Sequence, residues 1–121
     1  MRNLACGVVF IAAFSVHAQA ELLALSCNGH RNDNNDPLLF SIMIDPAKHQ
    51  VLDIGSGPGV ITDQFSERMI TALHNGPALQ QILIIDRVTG QFSLTWVHLR
   101  GTEAVGGENY EGTCSVAQRK F

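Results

Sequence analysis

The chain predicts an all-β fold: a small antiparallel meander of about six to eight strands that closes into a barrel or sandwich, clasped by a terminal disulfide. Three observations carry this expectation. After residue 20, apolar residues recur mostly every second position in short segments, and turn-forming residues separate those segments. Two cysteines, Cys27 and Cys114, lie near opposite ends of the same stretch.

Residues 1–20 read as a cleaved signal peptide. Arg2 supplies a positive start, Leu4 to Val16 form an apolar run too short to span a bilayer, and Ala18-Gln19-Ala20 has the small-x-small form of a cleavage site. Cys6 would leave with this leader. No hydrophobic segment precedes Cys6 and no leucine stands three residues before Cys27, so neither cysteine fits a lipid attachment site. The expected product is a single β domain over residues 21–121, periplasmic or secreted, without membrane insertion.

The elements follow in order. Leu22 to Cys27 puts Leu23, Leu25 and Cys27 on one face, and the polar tract Asn28 to Asp36 follows as a loop. Leu38 to Asp45 alternates Phe40, Ile42 and Ile44 with polar positions, and Asp45-Pro46-Ala47-Lys48 has the acid and proline of a type I turn. Val51 to Gly55 returns as the next strand. Between residues 60 and 74 two periods compete. Ile61, Phe65, Met69 and Leu73 recur every four residues, as in a helix, yet residues 68–74 also alternate as a strand, which the short connections of a meander favour.

Leu79 to Arg87 and Gln91 to Leu99 form a hairpin about Asp86-Arg87-Val88-Thr89-Gly90, with Gly90 taking positive φ. Phe92, Leu94 and Trp96 are expected to face the core beside Ile82 and Ile84. Asn109 to Val116 ends the series with Tyr110, Cys114 and Val116 on one face.

From Glu21 onward, seven Lys and Arg face eleven Asp and Glu, a net charge of −4, with no basic run. That balance argues against nucleic acid and anionic lipid surfaces as partners. In an exported domain the even pair Cys27 and Cys114 reads as a disulfide, worth about 4.5 kcal/mol on loop entropy. A redox or metal role would need C-x-x-C spacing or further ligands, and neither is present.

Several motifs invite chemistry. Val51-Leu52-Asp53-Ile54-Gly55-Ser56-Gly57-Pro58-Gly59 matches the cofactor loop of S-adenosylmethionine-dependent methyltransferases, where glycines let the backbone approach the cofactor at a helix N-terminus. An acid is expected about 20 residues later, where Leu73, His74 and Asn75 stand, and the chain is too short for a doubly wound sheet. The glycines therefore read as a bend or bulge between strands, and no cofactor is expected. His30, Asp33 and Asp36 offer oxygen and nitrogen ligands, but Pro37 and Met43 occupy the positions where a calcium loop needs glycine and glutamate, so a solvated hairpin loop is expected. Histidines 30, 49, 74 and 98 show no ligand spacing, and Ser56 is not in a nucleophile elbow. No catalytic or metal residue is nominated. A binding surface is expected at Trp96 and His98, which share a strand face, and at the loop acids Asp33 and Asp36.

Leu25-Ser26-Cys27-Asn28-Gly29, Ile44-Asp45 with Val51, Ile85-Asp86-Arg87-Val88-Thr89-Gly90-Gln91-Phe92 and Gly112-Thr113-Cys114 resemble a pattern in small exported bacterial proteins of unassigned function. The size, leader and terminal cysteine pair are also similar to the periplasmic lysozyme inhibitors of the C-type families, and that resemblance implies a small β-barrel. Their S-G-x-x-Y inhibitory loop is not reproduced, because Pro58-Gly59-Val60 follows Ser56-Gly57; no inhibitory residue carries over.

The function expected is an exported binding module, with an inhibitor of an envelope-directed enzyme as its most specific form. Its partner would be an unidentified protein or small-molecule ligand of the cell envelope. A small exported enzyme or metal-dependent protein is the alternative, and a methyltransferase-like protein comes third.

Overall fold

The computed structural model describes residues 21–117; residues 1–20, read above as a signal peptide, and residues 118–121 lie outside the described residues. Eight strands follow one another: β1 (Leu23–Arg31), β2 (Pro37–Asp45), β3 (Gln50–Asp53), β4 (Val60–Phe65), β5 (Met69–Asn75), β6 (Leu79–Asp86), β7 (Gln91–Arg100) and β8 (Glu103–Val116). All pairings are antiparallel, in the order β3-β2-β1-β8-β7-β6-β5-β4. The sheet curls into a nearly closed barrel. The stretch expected as strand over residues 68–74 is strand from Met69 to Asn75, and the helical alternative fails because Ile70 and Ala72 both enter the core.

The barrel joins its first and last strands through β1 and β8. Cys27 pairs in register with Cys114, their Cα atoms 4.0 Å apart, and the two sulfurs are bonded. Such closely spaced, non-hydrogen-bonded pairs bring side chains nearest. Two residue pairs along, Gly29 faces Gly112. A Cβ on Gly112 would run into the carbonyl oxygen of Asn28, and one on Gly29 into that of Glu111. The backbones meet here because neither residue has a side chain.

The remaining seam lies between β3 and β4, which no backbone ladder joins. Side chains bridge it. Val51 N donates to Thr62 Oγ1 at 2.8 Å, and the His49 and Phe65 rings stack with centroids 5.2 Å apart. A bulge at Asp63 shifts the register of β4 on β5, and strands of four and six residues leave little edge for another chain to pair with.

Inside, Cys27, Ile42, Ile44, Val51, Ile54, Ile70, Ala72, Leu83, Ile85, Phe92, Leu94 and Tyr110 form the core. The observed faces correct the expectation for β6. Leu83 and Ile85 point inward opposite Leu94 and Phe92, whereas Ile82 and Ile84 belong to the outer face, with Ile84 exposed. Four consecutive apolar residues, Ile82 to Ile85, conceal the parity, and the pairing register decides it. Two boundaries also move. β1 runs on through polar Asn28 to Arg31, and β8 begins six residues before Asn109, because both pair with a neighbour beyond the apolar segment. β4, read from the sequence as part of an ambiguous stretch, is a separate strand.

Candidate functional site: the loop end of the barrel

An up-and-down meander sends alternate connections to opposite ends. Segments 32–36, 54–59, 76–78 and 101–102 gather at one end, which we call the loop end; 46–49, 66–68 and 87–90 form the turn end. The expected binding residues Trp96, His98, Asp33 and Asp36 all come to the loop end.

Register places a polar tier beneath these loops. Val60 pairs with His74, His74 with Gln81, Gln81 with Trp96, and Trp96 with Glu108. Each of these strands buries its inward residues two positions further in, so His74, Gln81, Trp96 and Glu108 lie on the core-facing side. The tier below, Ala72, Leu83, Leu94 and Tyr110, is apolar apart from the tyrosine hydroxyl. The barrel thus grades from a dry middle to a polar end.

Trp96 is half-buried, its ring 5.2 Å from that of Tyr110, rather than fully in the core as expected. Its indole Nε1 is shielded from solvent and has no hydrogen-bond partner among the described residues, and the same holds for Ser56 Oγ in the glycine loop. A shielded donor without a partner costs about 1–3 kcal/mol, and a ligand acceptor placed there would recover that cost. His98 Nε2 lies 2.5 Å from Glu108 Oε2, with the glutamate largely shielded and the histidine half-exposed. Arg31, opposite Tyr110 on β1, forms an ion pair with Asp33, Nε to Oδ1 at 2.7 Å. The Asp33 hydrogen bond and charge, with smaller contributions from Glu108 and Tyr110, raise the Arg31 pKa above its ordinary value.

The loops are internally tied. Asn34 Nδ2 donates to Asp36 Oδ2 and Asp36 N to Asn34 Oδ1, while Asn35 takes φ 62° to close the turn. His30 sits on the outer, exposed face of β1, away from the inward residues. Among the described residues, no group of three or more His, Cys, Asp or Glu side chains converges as metal ligands would. In the glycine segment, Asp53 Oδ1 accepts from Gly55 N and Gly57 N at 2.8 and 3.2 Å, and all three glycines take positive φ. Ile54 is buried, and His74 Nε2 lies 3.1 Å from Pro58 O, so the segment folds over the barrel end as a bend. Residues 60–65 continue as β4. The helix N-terminus that gives the motif its anion-binding chemistry is not formed there.

Sequence reasoning missed Glu108, Gln81 and His74 as parts of the site. Each is a lone polar residue within an otherwise apolar alternation, a signal that only the register turns into a tier. At the loop end Asp33, Asp36, Asp53, Glu103 and Glu108 outnumber Arg31 and Arg100, giving it an acidic face. Comparisons with protein-family models, with curated proteins and with solved structures find no match to this chain.

Proposed function

We propose that the protein is an exported binding module whose loop end captures a basic partner in the cell envelope, and that inhibition of an envelope-directed enzyme is its working form. The carrying observation is the shielded Trp96 Nε1, without a partner among the described residues, set in a polar tier opposite Glu108 at the acidic end of the barrel. A rigid barrel with a clasp between its terminal strands supplies a fixed platform, and loops on such platforms commonly carry recognition. Acidic loops suit a basic surface and speed encounter with it. The disulfide fits an oxidising compartment, as the leader read from the sequence implies.

The direct experiment titrates the processed protein against purified C-type lysozyme, reading both heat of binding and cell-wall lysis. Saturable binding with loss of lysis is expected. It should weaken in Trp96→Phe and in Asp33→Asn/Asp36→Asn with no fall in melting temperature. Binding that survives all three substitutions would move the interface away from the loop end.

A further inference from the structure

The turn end carries a different feature, an apolar pocket of about 270 Å3. Its floor is made by the buried residues Ile44, Ile70 and Ile85, and its walls by Leu25, Phe65 and Val116. At about 30 Å3 per water-sized volume, the space suits an aliphatic chain on the order of eight to ten carbons. Eight-stranded barrels are wide enough to hold one small ligand in this way.

The lip is charged. Asp86 and Arg87 both border the pocket, with Arg68 nearby on the adjoining turn. Asp86 Oδ1 is already engaged, accepting from Val88 N at 2.8 Å and Thr89 N at 3.1 Å. Arg87 is differently placed. Its Nη1 donates to the neutral carbonyl of Ser66, its guanidinium lies 5.0 Å from the Phe65 ring centroid, and among the described residues no carboxylate forms an ion pair with it. An exposed guanidinium with spare donors beside an apolar floor is complementary to an anion carrying a hydrocarbon tail.

We infer that the turn end binds a free medium-chain aliphatic carboxylate, its tail on Ile70 and Ile85 and its head group on Arg87. This site is independent of the loop-end interface and does not rest on it.

The test is calorimetric titration of the processed protein with sodium decanoate below its micelle concentration, alongside decanol, decyltrimethylammonium and phosphatidylglycerol vesicles. Methyl-labelled NMR spectra locate the contact. Saturable decanoate binding is expected, with shifts confined to the methyls of Leu25, Ile44, Ile70, Ile85 and Val116. Arg87→Gln should weaken decanoate about tenfold or more and leave decanol unchanged. Val116→Trp, a substitution at an exposed strand end, should block both without lowering the melting temperature. No binding, equal binding of decyltrimethylammonium, shifts at the loop end, or vesicle binding without decanoate binding would each overturn the proposal.

Discussion

Single residues decide whether the turns of this barrel close. Gly90 takes φ 80°, and a Cβ there would sit 2.9 Å from the carbonyl oxygen of Cys114, so Gly90→Ala combines backbone strain with a steric clash. A loss of about 1 kcal/mol or more is expected, read as a lower midpoint in urea. Asp86, at the other side of the same turn, has its pKa lowered first by the hydrogen bond from Thr89 N, then by that from Val88 N. A carboxylate whose folded value is depressed stabilises the fold above its ordinary pKa of 3.8 and loses that contribution as pH falls through the folded value. Melting temperatures measured from about pH 6 down to pH 2 should therefore fall less steeply for Asp86→Asn than for the native chain. Trp96 separates packing from polarity. Trp96→Ala should cost about 3 kcal/mol for the lost ring, whereas Trp96→Phe keeps an aromatic ring against Tyr110, removes the unpartnered donor, and should hold or raise the melting temperature. A fall in Trp96→Phe as large as in Trp96→Ala would mean that the indole N–H has a partner in solution.

At the scale of elements, the hairpin of β6 and β7 was the most legible part of the chain. Turn chemistry at Asp86 to Gly90 marked its centre, and both strands are found where the alternation put them. Its faces were less legible, because Ile82 to Ile85 offer no polar residue to mark inside from outside. β4 was hidden for the related reason that Asp63 is a bulge, which breaks the two-residue period and lets Ile61 and Phe65 imitate a helix. For the candidate site, His98 was readable beside Trp96 on one strand face, with Trp96 expected in the core, and Asp33 and Asp36 as loop acids, but their assembly at one end depends on the register of the whole meander. The β3–β4 seam gives an element-scale prediction. Thr62 Oγ1 is the acceptor for Val51 N, so Thr62→Val keeps the shape and strands that donor. A loss of about 1–2 kcal/mol is expected, with faster amide exchange across β3 and β4 than across β1 and β8.

For the whole molecule, the question is what holds an eight-stranded sheet closed when one seam lacks a backbone ladder. The bond between Cys27 and Cys114 lies on the opposite side of the strand order, between the first and last strands, where Gly29 and Gly112 let the backbones come together. Its loop of 87 residues in sequence separation restricts the unfolded chain severely, and removing such a bond from a small domain costs about 2–5 kcal/mol. Because a domain of this size holds only about 5–15 kcal/mol in total, Cys27→Ala/Cys114→Ala should lower the denaturation midpoint by a large fraction and open the barrel at the unladdered seam first. Hydrogen exchange checks the order: amides of β3 and β4 should lose protection before those of β6 and β7, whose ladder and core contacts are intact. The loop end draws on both sides of the β1–β8 junction, Arg31 from β1 and Glu108 from β8. Loss of the clasp should therefore weaken partner capture even at temperatures where the double variant is still folded. Capture that remains unchanged in the folded double variant would show that β7 and β8 alone hold the interface.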